Sequence, residues 1–106
     1  MADFTIGRNG GRAEVGLGSR LTTVDVPGLQ AGLKNEIASG VREIVFDFAS
    51  VEMLDSSGIG LLVATNNSLA AVQGTIRLER VSVDLMKLLR SMRLVDRLHA
   101  TAAAKD

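Results

Sequence analysis

The stretch EIVFDFASVEMLDSSGIG, residues 43–60, decides the fold of this chain of 106 residues. Its first part, residues 43–48, is almost continuously apolar, which is typical of a parallel strand covered by helices. The one acidic interruption, Asp47, is expected at a sheet edge or a strand end. The polar run at residues 55–58 is typical of a helix start, because short oxygen-bearing side chains accept bonds from free N–H groups. The stretch therefore predicts a strand followed by a helix.

Upstream of this stretch, the sequence predicts a hairpin and one helix. Residues 4–6 and 13–17 alternate in polarity around the turn signal Asn9-Gly10-Gly11, which favours two antiparallel strands. The next segment has apolar residues three and four positions apart, which indicates one helical face. Thr23 or Asp25 is expected to cap this helix, and Gly40 suits the position after its end. The apolar face consists of Val26, Leu29, Leu33 and Ile37.

Downstream, two more helices surround one more strand. The helix that starts at residues 55–58 is expected to bury Ile59, Leu62, Leu69 and Val72 and to end at Gln73-Gly74. Residues 75–78 alternate as a strand. A third helix, capped by Ser82, is expected to bury Leu85, Leu88, Leu89 and Met92.

The order of these elements predicts one α/β domain over residues 1–106, with a mixed central sheet of four to five strands flanked by helices. We expect its ordered core at about residues 4–99. The alanine-rich tail at residues 101–106 is expected to be frayed.

Composition excludes several classes of protein. The 12 basic and 12 acidic side chains balance, whereas nucleic-acid binders usually carry a basic excess. The absence of cysteine excludes disulfides and thiolate metal sites, and His99 is the single histidine. No apolar run is long enough to span a bilayer, and the N-terminus has no signal-peptide pattern. We therefore expect a cytoplasmic protein without a cofactor, a metal ion or a membrane partner.

The run Asp55-Ser56-Ser57-Gly58-Ile59-Gly60 is the candidate functional site. At a helix N-terminus a phosphorylated serine is tolerated, because the helix dipole and free N–H groups favour an anion. A docked partner would have to desolvate that charge, with Asp55 adding repulsion, so phosphorylation would release the partner. The two glycines would let a partner backbone approach closely. Helix capping and tight packing alone also explain the run, and both interpretations stay open on these residues.

The run resembles the signature of the STAS domain family, and within it the bacterial anti-sigma factor antagonists. Residues 44–48 and the late helix at residues 85–89 extend the resemblance over most of the chain. It implies that Ser56 is phosphorylated by an anti-sigma factor that is also a serine/threonine kinase. It also implies a PP2C-type phosphatase that restores Ser56, and a monomer or weak homodimer.

The resemblance assigns the partner-binding surface to the residues that match the motif. We add two neighbours as expected contacts, of which Asn66 is chosen because it is polar enough to lie on the exposed helix face beside Ser56. The matching residues are Asp55, Ser56, Ser57, Gly58 and Gly60; the neighbours are Thr22 and Asn66. Thr22 is a departure, because family members often carry an acidic residue after the leucine that corresponds to Leu21. Because of this departure, the partner contact near the first helix need not be the one that is usual in the family.

Three alternative functions have some support in the residues. Gly58-x-Gly60 with Glu79 downstream matches part of a dinucleotide-binding fingerprint, although Val63 replaces the third glycine. A serine hydrolase would need His99 as its base and lacks the Gly-x-Ser-x-Gly motif. Within the resembling family, the domain would instead serve a chemotaxis or sensor cluster, a stressosome-like assembly or a lipid-transport complex.

Overall fold

A computed structural model describes residues 4–103 of the protein. Among these residues, no helix is long and apolar enough to cross a membrane. The elements in chain order are β1 (Phe4–Asn9), β2 (Arg12–Leu17), β3 (Arg20–Leu21), α1 (Val26–Ala38), β4 (Glu43–Asp47), β5 (Met53–Leu54), α2 (Ser56–Ala70), β6 (Thr75–Val81), α3 (Val83–Ser91) and β7 (Ala100–Ala102).

Five strands form the main sheet in the order β1-β2-β4-β6-β7. The hairpin of β1 and β2 is antiparallel, and the other three neighbouring pairs are parallel. Strand-to-strand crossovers through α1, α2 and α3 explain the parallel pairs, since parallel strands need long connections. The predicted α/β fold with a mixed sheet of four to five strands is therefore confirmed.

The core lies between one face of this sheet and the three helices. Alternate residues of the central strands point into it, and each helix contributes its apolar face to the same cluster. Leu29 and Leu33 of α1 are buried as predicted. Other fully buried side chains are Val15, Ile44, Phe46, Leu62, Leu69, Ile76, Leu78 and Leu89.

The opposite face of the sheet carries ion pairs. Arg77 bonds to Glu43 at 2.9 Å and to Glu79 at 3.3 Å. Asp47 lies at the end of β4, as expected, and pairs with Arg80 at 2.8 Å. The hydrogen bond from Arg80 lowers the pKa of Asp47.

Arg80 reaches this face through a backbone irregularity in β6. It has a positive φ of 57°, and the pairing of β6 with β7 shifts register between Leu78 and Val81. A bulge of this kind turns a side chain to a different face of the sheet.

Three expectations are wrong in detail. Thr101 and Ala102 are not frayed, because β7 pairs with β6 and the Thr101 hydroxyl donates to the Leu78 carbonyl at 3.1 Å. Residues 104–106 of the predicted frayed tail lie outside the described residues. Met92 is 46% exposed, because α3 ends at Ser91 and Met92 follows the end of the helix. Val72 follows the end of α2 and is half-buried.

No local pattern predicts β3 and β5, which form a separate parallel pair. Arg20 lies opposite Met53, and Leu21 lies opposite Leu54. These two short strands precede α1 and α2, and they bring the starts of both helices together. This is where the candidate site lies.

Candidate functional site

Asp55 caps α2, as predicted. Its Oδ1 atom accepts a hydrogen bond of 2.8 Å from the backbone N–H of Gly58. Ser56 is the first residue of the helix and is exposed. Within residues 4–103 its hydroxyl makes no hydrogen bond to the protein. The Ser56 side chain is therefore accessible to another molecule beside free N–H groups of the helix.

The second oxygen of Asp55 binds the loop before α1. Oδ2 accepts bonds from the backbone N–H of Thr23 at 3.0 Å and from the Thr23 hydroxyl at 3.2 Å. The Gly58 N–H, followed by the Thr23 donors, lowers the pKa of Asp55 and keeps it ionised at neutral pH. One carboxylate thus holds the α2 N-terminus and the loop before α1 in a fixed relation.

Thr23 has a role that the sequence did not predict. We expected it only as a possible cap for α1, but the structure gives that position to Asp25. Even Asp25 does not cap with its side chain: its Oδ2 accepts from the N–H of Thr22 at 3.1 Å instead. Thr23 and Asp55 are 32 residues apart, so no local pattern links them.

The two serines of the motif differ in their surroundings. The hydroxyl of Ser57 lies 2.9 Å from that of Thr23 and the residue is half-buried. Ser56 has neither this contact nor this burial. The local geometry thus distinguishes two neighbours that are chemically identical in the sequence.

The two glycines of the motif also differ. Gly58 is buried, and a Cβ atom there would collide with the carbonyl oxygen of Leu21 and lie 2.9 Å from Leu54 Cδ1. Gly60 is exposed, and a Cβ atom there would meet nothing within 4 Å. The expectation that both glycines make room for a partner is therefore corrected for Gly58, which makes room for this chain's own backbone.

Two expected contact residues, Thr22 and Asn66, make no side-chain hydrogen bond to Ser56 within the described residues 4–103. Thr22 is half-buried, and its hydroxyl lies 3.3 Å from Asp25 Oδ2, so it bonds within its own loop. Asn66 is half-buried and ten residues after Ser56, which is about 15 Å along the helix. Partner contacts by these two residues stay predictions.

Two exposed apolar side chains lie next to the site in the chain. Val24 follows Thr23 and is 61% exposed, and Met53 precedes the capping aspartate and is 60% exposed. We call Val24, Met53, Ser56 and Gly60 the Ser56 surface. Single exposed apolar side chains are common on protein surfaces, so a partner contact through Val24 and Met53 stays a prediction.

The geometry argues against two of the alternative functions. His99 donates from Nδ1 to the carbonyl of Ile76 at 2.8 Å, near the start of β6. Ser56 begins α2 after the carboxyl end of β4, whereas His99 lies near the amino end of β6, which runs parallel to β4. The two residues therefore lie at opposite ends of the strands and do not form a hydrolase pair. Gly58 packs against Leu21, which leaves no space there for a pyrophosphate.

The STAS domain model matches residues 8–104. The chain belongs to the STAS domain family. None of the curated proteins matches it in sequence.

Solved structures share the fold at low sequence identity. The anti-sigma factor antagonist SpoIIAA in its unphosphorylated form matches with a TM-score of 0.84 and 23% identity, over 96% of this chain and 89% of that chain. The phosphorylated form of SpoIIAA, from Bacillus, matches with a TM-score of 0.79 and 22% identity, over 96% and 92%. A STAS domain protein from Planctomyces limnophilus gives 0.81 and 19%, over 97% and 92%.

The same fold also occurs inside a much larger protein. The murine anion transporter Slc26a9 matches with a TM-score of 0.74 and 11% identity, over 98% of this chain but only 21% of the transporter. The STAS fold is thus present both in small regulatory proteins and as one part of a transporter.

Proposed function

We propose that this STAS domain is an anti-sigma factor antagonist that acts by partner switching. The unmodified protein binds an anti-sigma factor serine/threonine kinase and so releases a sigma factor. Phosphorylation of Ser56 ends that binding, and a PP2C-type phosphatase restores it. The protein acts in the cytoplasm as a monomer or weak homodimer, and it is an interaction domain rather than an enzyme.

The observation that carries this proposal is the state of the Ser56 hydroxyl. It is exposed at the first position of α2 and has no bond to the described part of the protein. A kinase can therefore reach it without unfolding any element. The likeness to SpoIIAA, which has been solved with and without phosphate, supports the same assignment.

The chemistry of the surface explains how one phosphate would act as a switch. Phosphate adds nearly two negative charges, which the α2 N-terminus accommodates through its dipole and free N–H groups. The ionised Asp55 next to it adds like charge. A partner that covers Val24 and Met53 would have to remove water from this charge, which costs several kcal/mol. The fold survives, and the complex does not.

This mechanism requires no cofactor in the protein itself. The kinase supplies ATP and Mg²⁺, and this chain supplies only the acceptor hydroxyl of Ser56. The roles that we propose for Asp55, Ser57 and Gly58 are structural support for that hydroxyl, whereas Gly60 belongs to the exposed surface that the partner would cover.

Phosphosite mapping tests the proposal. The protein would be incubated with an anti-sigma factor kinase of its own organism and ATP, and the phosphate located by mass spectrometry. We expect one phosphate, on Ser56, and none in Ser56→Ala. Ser57→Ala is the matched control and should be labelled like the wild type. Labelling elsewhere, or no labelling by any such kinase, would reject the assignment.

A second candidate function is that of an interaction module in a larger assembly without a sigma factor. The presence of this fold in an anion transporter favours it. Chemotaxis or sensor clusters, stressosome-like assemblies and lipid-transport complexes are further settings for such a module. Co-purification from native cells separates the candidates: an anti-sigma factor kinase supports the first, and a sensor or transporter subunit without the kinase supports the second.

A further inference from the structure

Ser57, Thr23 and Asp55 form a chain of hydrogen bonds with a fixed direction. The ionised Asp55 only accepts, so the Thr23 hydroxyl donates its single proton to Asp55 Oδ2 at 3.2 Å. The Thr23 oxygen is then left as the acceptor in its 2.9 Å contact with Ser57. Both contacts are satisfied together only when the Ser57 hydroxyl donates to Thr23.

This direction matters for phosphoryl transfer. A serine that attacks the γ-phosphate of ATP passes its proton to a base on the kinase. The proton of Ser57 is directed to Thr23, and Ser57 would have to break that bond and rotate before it could react. Ser56, one residue earlier, has a hydroxyl without any such bond and is more exposed.

We infer that Thr23 is the residue that selects Ser56 over Ser57 as the phosphoacceptor. Thr23 does not touch Ser56. It is a positioning residue. Thr23 lies in a loop 34 positions away in the sequence and holds the hydroxyl of Ser57 in a hydrogen bond. This inference rests on the proposed function, because it needs a kinase that acts at this surface.

The labelling test uses Ser56→Ala as the background, so that Ser57 is the one motif serine left. In that background we compare Thr23 with Thr23→Val and Thr23→Ser. Valine has the shape of threonine and keeps the backbone N–H that donates to Asp55, but it lacks the hydroxyl. Serine keeps the hydroxyl. The kinase is one that phosphorylates the wild-type chain.

We expect Thr23→Val to raise phosphate incorporation at Ser57 at least tenfold over the Ser56→Ala background, and Thr23→Ser to leave it at background. Thr23→Ala is the second variant and should behave like Thr23→Val. Equal labelling of Ser57 with threonine and with valine at position 23 would overturn the inference. Circular dichroism of each variant excludes unfolding as the reason for labelling.

A measurement without a kinase separates this inference from the proposed function. Three-bond NMR couplings report whether the Ser57 side chain occupies one χ1 rotamer. We expect one rotamer in the wild type and in Thr23→Ser, and averaging in Thr23→Val. Averaging in the wild type would overturn the inference. A locked Ser57 in a protein that no anti-sigma factor kinase labels would instead reject the proposed function and, with it, the role of Thr23 in selecting a phosphoacceptor, whereas the hydrogen bond from Ser57 to Thr23 would stand.

Discussion

The carbonyl oxygen of Leu21 occupies the space in which a side chain on Gly58 would lie. This contact joins β3 to the first turn of α2, next to the bonds that Asp55 makes to Thr23. The motif therefore has two roles: Gly58 packs against this chain's own backbone, and Gly60 belongs to an exposed surface.

The Gly58→Ala and Gly60→Ala variants should have opposite effects on stability. Gly58→Ala forces backbone apart and should lower the free energy of unfolding by about 2–3 kcal/mol, as overpacking does. Gly60→Ala adds a methyl group in open space on a helix and should raise it by up to ~1 kcal/mol. Urea denaturation measures both. Equal effects of the two substitutions would contradict the contact with Leu21.

Partner binding should depend on Met53 and not on Met92. Met53 is 60% exposed in β5 just before the site, whereas Met92 is 46% exposed beyond the far end of α3. Met53→Gln should weaken binding of the anti-sigma factor kinase about tenfold, a loss of ~1.4 kcal/mol. Met92→Gln is the matched control and should leave the Kd unchanged. Calorimetric titration gives both Kd values. An equal loss of affinity in both variants would show that the Ser56 surface is not part of the interface.

Stability should fall in acid because of Asp47. Its pKa is below the ordinary carboxyl value in the folded protein, owing first to the hydrogen bond from Arg80. A group with a lowered folded pKa stabilises the protein above its unfolded pKa, and this stabilisation is lost as the pH falls through the folded value. The free energy of unfolding should therefore decline below about pH 4. Asp47→Asn should reduce this decline, measured by urea denaturation at pH 7 and pH 3. An unchanged pH dependence in Asp47→Asn would contradict the ion pair.

Hydrogen exchange should find the end of the chain ordered through Ala103. The backbone N–H of Ala100 donates to Val95 at 2.8 Å, and that of Ala103 donates to Val81 at 2.9 Å. Both amides should exchange more slowly than those of the exposed turn at Asn9-Gly10. Exchange of both amides at the rate of an unstructured peptide would show that β7 does not form.

The main elements of the fold were predictable because their apolar patterns are local. Residues 43–48 and the helix start at Asp55 carry their signals within a few positions, and the structure confirms both. The strand β7 carries no such signal, because three residues of Ala-Thr-Ala resemble a polar tail in composition. Its order comes from pairing with β6, about twenty residues away.

The candidate site was predictable only in part, for the same reason. The sequence identifies Asp55 as a cap and Ser56 as an exposed hydroxyl. It does not show that Thr23 bonds to Asp55 and Ser57, since these contacts join segments more than thirty residues apart. Nor does it distinguish Gly58 from Gly60, because the obstructing atom is a backbone oxygen of Leu21.

The Kd of the kinase for the two forms of this protein tests the central claim most directly. The unmodified chain and the chain phosphorylated on Ser56 would be titrated into the same anti-sigma factor kinase, with circular dichroism showing that both are folded. We predict that phosphorylation weakens binding roughly a hundredfold or more. The partner would have to desolvate the phosphate on Ser56, which costs several kcal/mol that the complex does not recover. Equal Kd values for the two folded forms would contradict the account.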